Sequence, residues 1–582
     1  MKMIEANSTK RPRIRNARGL YARCREWKAH GRPFRDLIGL TALVCVTGML
    51  FYRATEGVDL SDESYYALFL HDWIFGGIAE SQLRSLHQTA AFVIYPVVIV
   101  YEEIVGSFDG LFLFLRFLYV TGAVLSAISI TAALIYNRFG ARSWLAGLII
   151  LAFIPYGLPA PSYNTLGLQG FAIGISGYAI WATSRRHRWT LMSAVGWAIA
   201  IVSYPPLAAA LVSFLGMIVI AERHSPRSSI IHILTICSVV FSAAALCAYV
   251  LTPGRLIESY AYLSLINDST GISARLQSIQ SIISNSTHFY IFALISFAIG
   301  AIRRIVPPIV FFGYVAATVA ATFFYGPALF VGSHDLILFT CIAGMAIVAD
   351  LWSDDRCRRS VAMAYVTSIV AGCLTSAFAT HTLYSFPIGG AVAAAISATW
   401  SPRRYEDQIS ALAPGAALMV ALVVTSLSFR YGETPITKAE AREPIETGIF
   451  AGLSVAQSDA EIIRATEESL KEIMAPGETI AAIGRLPGLM LLSEAPISML
   501  TPFPLMPNVS SEGLRFTKSH YRQEDNLPTV LLIFNDVYFA PVNFLDDQMH
   551  RYEILRDLSF SSERKLRIYR LRQPGMDGTQ EG

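Results

Sequence analysis

Long apolar stretches separated by short polar loops dominate the chain up to about residue 430. Many approach or exceed the roughly 20 residues that an α-helix needs to cross the hydrocarbon core of a bilayer. We predict thirteen spans, near residues 36–53, 110–136, 141–158, 164–183, 189–204, 206–222, 229–252, 287–302, 306–325, 328–349, 360–379, 383–400 and 409–429. The apolar segment 89–105 contains Pro96 and ends in two glutamates, so we interpret it as a re-entrant or interfacial piece.

Composition agrees with this pattern. Of the 582 residues, 53% are hydrophobic and only 15% are charged, which is too little charge to cover the surface of a soluble chain of this length. The fold class predicted is a polytopic α-helical membrane protein. The seven cysteines have no metal-site spacing, and none follows residue 373, which excludes a disulfide framework from the C-terminal portion.

The distribution of arginine predicts the orientation of the spans. Alternate loops such as "NRFGARS", "TSRRHRW" and "DLWSDDRCRRS" each carry at least two arginines, whereas "LPAPSYN", "SYPP" and "THTLYSF" carry neither lysine nor arginine. The positive-inside rule therefore places the N-terminus in the cytoplasm. Residues 1–35 hold eleven Lys or Arg and form a basic cytoplasmic arm; a nucleic-acid role is the weaker alternative, because the arm lacks interleaved aromatic residues.

An odd number of spans leaves the C-terminus on the outer face, and the composition changes after residue 430. "SDAEIIRATEESLKEIM" has the spacing of an amphipathic helix, and "ETIAAIG", "TVLLIFND" and "RKLRIYRLR" are typical of short strands. Helices interleaved with strands predict a small α/β domain over residues 430–582. The region 36–429 is then the transmembrane module, and its first outer loop covers residues 54–109.

This first loop opens with the acidic sequence "VDLSDESYYALFLHDW". One interpretation gives these residues a purely structural role. Ser61 could cap a helix, and Asp62 and Glu63 in its first turn would interact favourably with the helix dipole. The order of the features that follow favours a second interpretation. A basic arm, one span, the acidic pair with two tyrosines, "HQTAAFVIYP", "VGSFDGLFLFLR" and many further spans precede the outer α/β domain.

That order resembles the GT-C glycosyltransferases that use polyprenyl-phosphate sugars. The most similar families are the lipid A aminoarabinose transferases, the protein O-mannosyltransferases and the rhizobial lipopolysaccharide-core galacturonosyltransferases. In them an outer Asp-Glu pair precedes a tyrosine-containing helix, as in "DESYYA" here, and a "KPPL"-like segment follows. "HQTAAFVIYP" stands in that place, with His87 at the lysine position. The motif resemblance covers about residues 55–120, and the topology resemblance covers the whole chain.

The resemblance implies roles for individual residues. Asp62 is the predicted catalytic base and Glu63 its hydrogen-bond partner or an alternative base, while Asp59 is more typical of a solvated loop acid. Tyr65, Tyr66 and Asn164 are predicted to contact the sugar or the acceptor, with a helix cap as the alternative for Asn164. Because Asn164 stands where many members carry a second carboxylate, we expect no cofactor and hold a divalent metal in doubt.

The leaving phosphate of such a donor needs a cation near the outer surface. The candidates are Arg84, His87, Arg116 and Arg255. For each arginine the alternative is a side chain that merely extends to the membrane interface. His334 and His381 also face outward but are too isolated to form a metal site.

The sequence thus predicts a multi-pass inner-membrane glycosyltransferase acting at the outer face. Its partners would be a polyprenyl-phosphate-linked sugar, an envelope acceptor such as lipopolysaccharide, another glycan or a protein, and membrane lipids, but no nucleic acid. A glycan polymerase or ligase, a lipid-linked-sugar transporter or flippase, and a non-catalytic assembly subunit are the alternatives. A transporter should show inverted repeats and charged residues within its spans, whereas this sequence shows no repeat and almost no charge within the predicted spans.

Overall fold

A computed structural model describes most of the membrane module and most of the C-terminal region. The residues described are 32–222, 226–266, 277, 280, 287–302, 329–378, 382–401, 412–427, 441–502, 505, 509–523, 526–536 and 541–572. The predicted span 306–325, His381 and nearly all of the basic arm lie outside these ranges.

Helices make up the described membrane module. They are α1 (Arg32–Ala54), α2 (Ser64–Phe75), α3 (Gln88–Val105), α4 (Leu111–Tyr136), α5 (Arg142–Ala152), α6 (Tyr163–Ser184), α7 (His187–Ser203), α8 (Leu207–Ala221), α9 (Pro226–Leu251), α10 (Pro253–Ile266), α11 (Thr287–Ile302), α12 (Leu329–Ala343), α13 (Arg356–Phe378), α14 (Phe386–Thr399) and α15 (Ala413–Leu427). A helix lies at each of the twelve predicted span positions that the described residues cover.

Several of these helices have the length and composition of a membrane span. In the described part of the chain five helices qualify, or six if the bent pair Ser333–Ala343 and Met345–Trp352 is one span. The protein is therefore a helical membrane protein, while the full number of thirteen spans stays a prediction. One of the five is α3, the segment interpreted above as interfacial, in which Pro96 does not interrupt the helix.

The contacts at the two ends of the first loop indicate whether α3 crosses the membrane or lies at its surface. Before α2, the backbone N–H of Gly57 donates to Ser454 O at 2.8 Å; after α3, the N–H of Gly110 donates to Gly448 O at 2.9 Å. Both ends of the loop thus meet the same short stretch of the C-terminal region. A single crossing by α3 would separate them by the thickness of a bilayer, so these contacts favour the interfacial interpretation.

Small residues set a close helix contact of the bundle, between α6 and α7. A Cβ at Gly196 would lie 2.3 Å from the backbone nitrogen of Gly174, and one at Gly170 would lie 2.6 Å from Ala200 N. Glycine at these positions lets the two backbones touch, which is how helices associate where no hydrophobic effect drives them together. Around this pair lies a large apolar core that includes Phe171 and helices α12 to α14.

The C-terminal region interleaves helices and strands. Strands β1 (Arg442–Pro444) and β2 (Ser454–Ala456) pair with each other, and β3 (Ile480–Ile483), β4 (Val530–Asp536), β5 (Tyr552–Ser559) and β6 (Arg564–Leu571) form a sheet of order β3-β4-β6-β5. Only β3 and β4 are parallel. The predicted amphipathic helix is α16 (Gln457–Ile473), and α17 is Ser511–His520. The three strands predicted from sequence are β3, β4 and β6.

One hydrophobic core joins this sheet to the first loop. It contains Phe69 and Leu70 of α2, Phe112 of α4, Leu489 of the turn after β3, and Leu531 of β4, all buried. The Asp72 carboxylate adds a polar contact by accepting the backbone N–H of Ile497 at 2.8 Å. The acidic turn before α2 is consequently held between the helix bundle and the C-terminal sheet.

Candidate functional site

The acidic stretch folds as a turn that ends where α2 begins. The Asp59 carboxylate accepts hydrogen bonds from the backbone N–H and the hydroxyl of Ser61, at 2.8 and 2.5 Å, and the Ser64 hydroxyl donates to Asp59 O at 2.9 Å. Helix α2 starts at Ser64, with Glu63 at the N-cap position but without a side-chain cap bond. Ser61 therefore bonds to Asp59 rather than capping a helix, and Glu63 takes the position directly before the first turn of α2.

Glu63 forms a buried ion pair with Arg116 of α4. The guanidinium Nε and Nη2 donate to the two carboxylate oxygens at 2.5 and 2.7 Å, and both side chains are buried. Arg116 Nη1 also donates to Ala54 O at 2.8 Å. Burial raises the pKa of Glu63, and the Arg116 guanidinium acts in the opposite direction. Here Arg116 bonds to Glu63 and to the backbone at the end of α1, and the phosphate role predicted for it stays a prediction.

Asp62 is the most exposed of the three acids in the turn, since Asp59 is partly buried and Glu63 is buried. The surrounding protein still excludes enough water to raise the pKa of its carboxyl to about 6, the neighbouring Asp59 carboxylate raises it further, and the Arg485 guanidinium lowers it. A carboxylate with a pKa near 6 is mostly ionised at neutral pH and is a better proton acceptor than an ordinary aspartate. Asp62 therefore has the exposure and the basicity of a general base.

Aromatic and polar side chains cluster behind the acidic turn. The Tyr65 hydroxyl lies 2.6 Å from Ser85 Oγ and 3.1 Å from His87 Nδ1, and the His87 ring lies 4.5 Å from the Tyr163 ring. The Tyr66 hydroxyl accepts the backbone N–H of Tyr163 at 3.2 Å. Burial lowers the pKa of His87 to about 4, so its imidazole is neutral at neutral pH. His87 can then meet a phosphate only as a hydrogen-bonding ring, without the charge of the lysine that the resemblance places there.

The first residues of α6 show whether Asn164 caps this helix. The cap of this helix is Ser162, whose hydroxyl accepts the N–H of Thr165 while the Thr165 hydroxyl accepts the N–H of Ser162. The alternative role of Asn164 as the helix cap is therefore wrong. Its Oδ1 atom is buried and has no hydrogen-bond partner in the described part of the chain. A buried amide oxygen without a partner is costly, so Asn164 stays a candidate for contact with a polar substrate group.

The other two predicted phosphate cations hold the connection between α2 and α3. Arg255 is buried and donates to Ser81 Oγ at 2.7 Å and to Leu83 O at 3.2 Å. Burial, more than any other cause, lowers the pKa of Arg255 to about 10. Arg84 is partly exposed and pairs with Glu258 at 2.8 Å. As placed, both arginines contact the α2–α3 connection and α10 rather than the acidic turn.

A small cavity lies directly beside the ion pair. It is lined by Glu63, Tyr66, Phe112, Leu115, Ala160 and Pro161. Four of these six residues are apolar, and they come from α4 and from the segment before α6. The cavity brings the acidic turn together with the α6 entrance, where Asn164 lies.

One residue of the site was missed from sequence. Arg485 follows β3, some 420 residues after Asp62 in the chain, and yet its charge acts on the Asp62 carboxyl. The backbone explains the proximity, because the N–H of Gly488 donates to Leu60 O at 2.8 Å. A lone arginine in "AIGRLPGL" has no periodic or motif signal of its own, so only the packing of the C-terminal region on the first loop identifies it.

His334 forms hydrogen bonds to the backbone of two other segments. Its Nε2 accepts the backbone N–H of Tyr156 at 3.0 Å, and its Nδ1 bonds to Tyr384 O. Both ring nitrogens are thus used within the chain, which accounts for this histidine without a ligand.

The described residues also contain no group of three or more His, Cys, Asp or Glu side chains that could hold a metal ion. Asp62 has Asp59 as its acidic neighbour, but the carboxylate of Asp59 is bonded to Ser61. This acidic neighbour of Asp62 is therefore already bonded, and the expectation that no metal resides at the site stays a prediction.

The chain has a distant structural similarity to a solved protein. No protein-family model matches the chain, and none of the curated proteins matches it. Among solved structures, the crystal structure of apo ArnT from Cupriavidus metallidurans is similar over 91% of this chain and 97% of its own, with 11% sequence identity and a TM-score of 0.42. A likeness of that size bears no weight in deciding what this chain does.

Proposed function

We propose that this protein is a membrane glycosyltransferase that moves a sugar from a polyprenyl-phosphate carrier to an envelope acceptor at the outer face of the inner membrane. The observation that carries the proposal is the state of Asp62. It is a solvent-reached carboxylate with a raised pKa, it adjoins a buried ion pair, and it lies where the first loop, the helix bundle and the C-terminal region meet. The resemblance of "DESYYA" to the GT-C acidic motif supports the same assignment.

The proposed reaction needs few groups. A hydroxyl or amine of the acceptor attacks the anomeric carbon of the sugar, and Asp62 takes the proton that the nucleophile loses. The bond from the anomeric carbon to the phosphate oxygen breaks, and the lipid phosphate leaves with the electron pair. With a pKa of about 6, Asp62 is ionised and ready to accept the proton at neutral pH.

Glu63 and Arg116 act as positioning residues in this proposal. Their bidentate pair connects the acidic turn to α4, and Arg116 also bonds to Ala54 O at the end of α1. Because a planar guanidinium holds a carboxylate in one orientation, the pair fixes the backbone that presents Asp62. The proposed contacts for sugar or acceptor hydroxyls are the Tyr66 hydroxyl and the Oδ1 atom of Asn164, which has no hydrogen-bond partner among the described residues.

The test is transfer by the purified protein in lipid nanodiscs, with Asp62→Asn compared with wild type. We expect a loss of at least a hundredfold in turnover, in line with about 10²–10⁴-fold for a general base. Asp109→Asn is the matched control, because Asp109 is an exposed acid of the same loop. Mass spectrometry of envelope glycolipids from cells with and without the protein identifies the sugar. Turnover by Asp62→Asn equal to that of the control variant would refute the assignment of the base.

A further inference from the structure

The cations named from sequence are all engaged with other parts of the protein. Arg116 is bidentate to Glu63, Arg255 bonds to Ser81, and Arg84 pairs with Glu258. His87 is neutral at physiological pH. A reaction that releases a phosphate beside Asp62 still needs a positive charge that is free to bind it.

Arg485 is such a charge. Its side chain is exposed, and it makes no hydrogen bond or ion pair within the ranges that the structure describes. It belongs to "GRLPG", the segment between β3 and a 3₁₀ helix at Pro487–Leu492, and that helix packs on α2.

The segment that carries Arg485 is anchored on the acidic turn. The Gly488 N–H donates to Leu60 O at 2.8 Å. A Cβ at Gly488 would lie 2.3 Å from Ser64 Oγ and 2.9 Å from Leu60 O, so the contact has no room for a larger residue unless one side shifts. Leu60 and Ser64 flank Asp62 on either side. The anchor therefore keeps Arg485, three residues before Gly488, near enough to the turn for its charge to act on the Asp62 carboxyl.

We propose that Arg485 binds a phosphate group of a substrate lipid alongside Asp62, so that the C-terminal region contributes a cation to the site. This inference rests on the proposed function and extends it. Arginine suits the task because its planar guanidinium donates two parallel hydrogen bonds to phosphate oxygens and stays charged at every physiological pH. The phosphate belongs either to the polyprenyl donor or to a phosphorylated lipid acceptor, and the experiment separates the two.

Binding is measured by native mass spectrometry on the full-length protein, with undecaprenyl phosphate as the donor probe and lipid A as the acceptor probe. The variants are Arg485→Gln, Arg485→Lys and the control Arg515→Gln, an exposed arginine on α17. We expect Arg485→Gln to weaken one of the two lipids by about tenfold to a hundredfold, as for the loss of a charged hydrogen bond. Arg485→Lys should recover part of the affinity, and the control variant should bind as wild type does.

The outcomes separate this inference from the proposed function. Weaker binding of undecaprenyl phosphate assigns Arg485 to the donor, and weaker binding of lipid A assigns it to the acceptor. Unchanged binding of both lipids by Arg485→Gln overturns the inference and leaves the proposed function standing. If the wild-type protein binds neither lipid, the proposed function fails, and the inference fails with it.

The pH dependence of turnover gives a second readout that a merely structural role would not move. Wild-type turnover should fall as pH drops below about 6, because Asp62 becomes protonated and can no longer accept a proton. Removing the Arg485 charge takes away an interaction that lowers the Asp62 pKa, so the acid limb of Arg485→Gln should shift to higher pH. An acid limb at the same pH in both proteins counts against the placement of Arg485 beside Asp62.

Discussion

The pair between Glu63 and Arg116 shows what a single buried contact does for the site. Both side chains are almost completely removed from solvent, and each satisfies the charge of the other. In the low dielectric of the interior an unpaired charge costs far more than it does in water. The pair is thus a condition for the acidic turn to keep its shape, whatever Asp62 does in catalysis.

We predict that Glu63→Gln destabilises the protein, because it leaves Arg116 buried without a counter-charge. Breaking a buried pair by removing one partner costs about 3–5 kcal/mol. A thermal unfolding series in nanodiscs measures the effect, with Asp109→Asn as the control. The double variant Glu63→Gln with Arg116→Met removes the orphaned charge and should recover part of the lost stability. An unfolding midpoint for Glu63→Gln equal to that of the control would show that the pair does not support the fold.

At the scale of elements, the hydropathy of α3 indicates a membrane span, whereas the contacts at its two ends indicate an interfacial position. Its 18 apolar-rich residues meet the length and composition of a span, yet the residues before α2 and after α3 both bond to positions 448–454. Hydropathy shows that a helix is compatible with a position across the bilayer. The contacts of the segments at its two ends show whether those segments lie on the same side of the membrane.

We predict that both ends of α3 are accessible from the same side of the membrane. Single cysteines replacing Glu80 and Glu103, both exposed, should react with a membrane-impermeant maleimide applied outside spheroplasts of a strain that carries an otherwise cysteine-free version of the protein. A cysteine replacing Asp354, in a loop predicted to be cytoplasmic, should react only after the cells are permeabilised. If the cysteines at positions 80 and 103 react from opposite sides of the membrane, α3 is a full span.

At the scale of the whole molecule, the C-terminal region and the first loop share one hydrophobic core. The sheet therefore does not stand apart from the membrane module as a separate unit. A domain that is packed on the acidic turn can contribute a charge to the site, as proposed for Arg485, and can respond to what the site binds.

We predict that crowding the contact between the two parts impairs turnover. Gly488→Ala places a methyl group 2.3 Å from Ser64 Oγ and close to Leu60 O, so the segment that carries Arg485 must shift. Overpacking of this kind costs about 1–3 kcal/mol, and we expect at least a tenfold loss of turnover with the protein still inserted. Gly216→Ala, on α8 where a Cβ meets no atom within 4 Å, is the matched control. Equal turnover by the two alanine variants would mean that the contact does not position the site.

The sequence by itself determined the features that depend on local composition. Apolar length placed the helices, and alternation and amphipathic spacing located α16, β3, β4 and β6, because these patterns are set by neighbours in the chain. The acidic turn was also found locally, from the order of residues around Asp62. Each of these inferences needed only a short window of the sequence.

Only the tertiary structure decided which charges are free to act. Arg116 and Arg255 looked available in the sequence, but packing pairs one with Glu63 and buries the other against Ser81. Arg485, which no local pattern distinguished, comes near enough for its charge to act on Asp62, some 420 residues away in the sequence. The physical reason is that burial and pairing are properties of the space around a side chain, and that space is built from segments distant in the sequence.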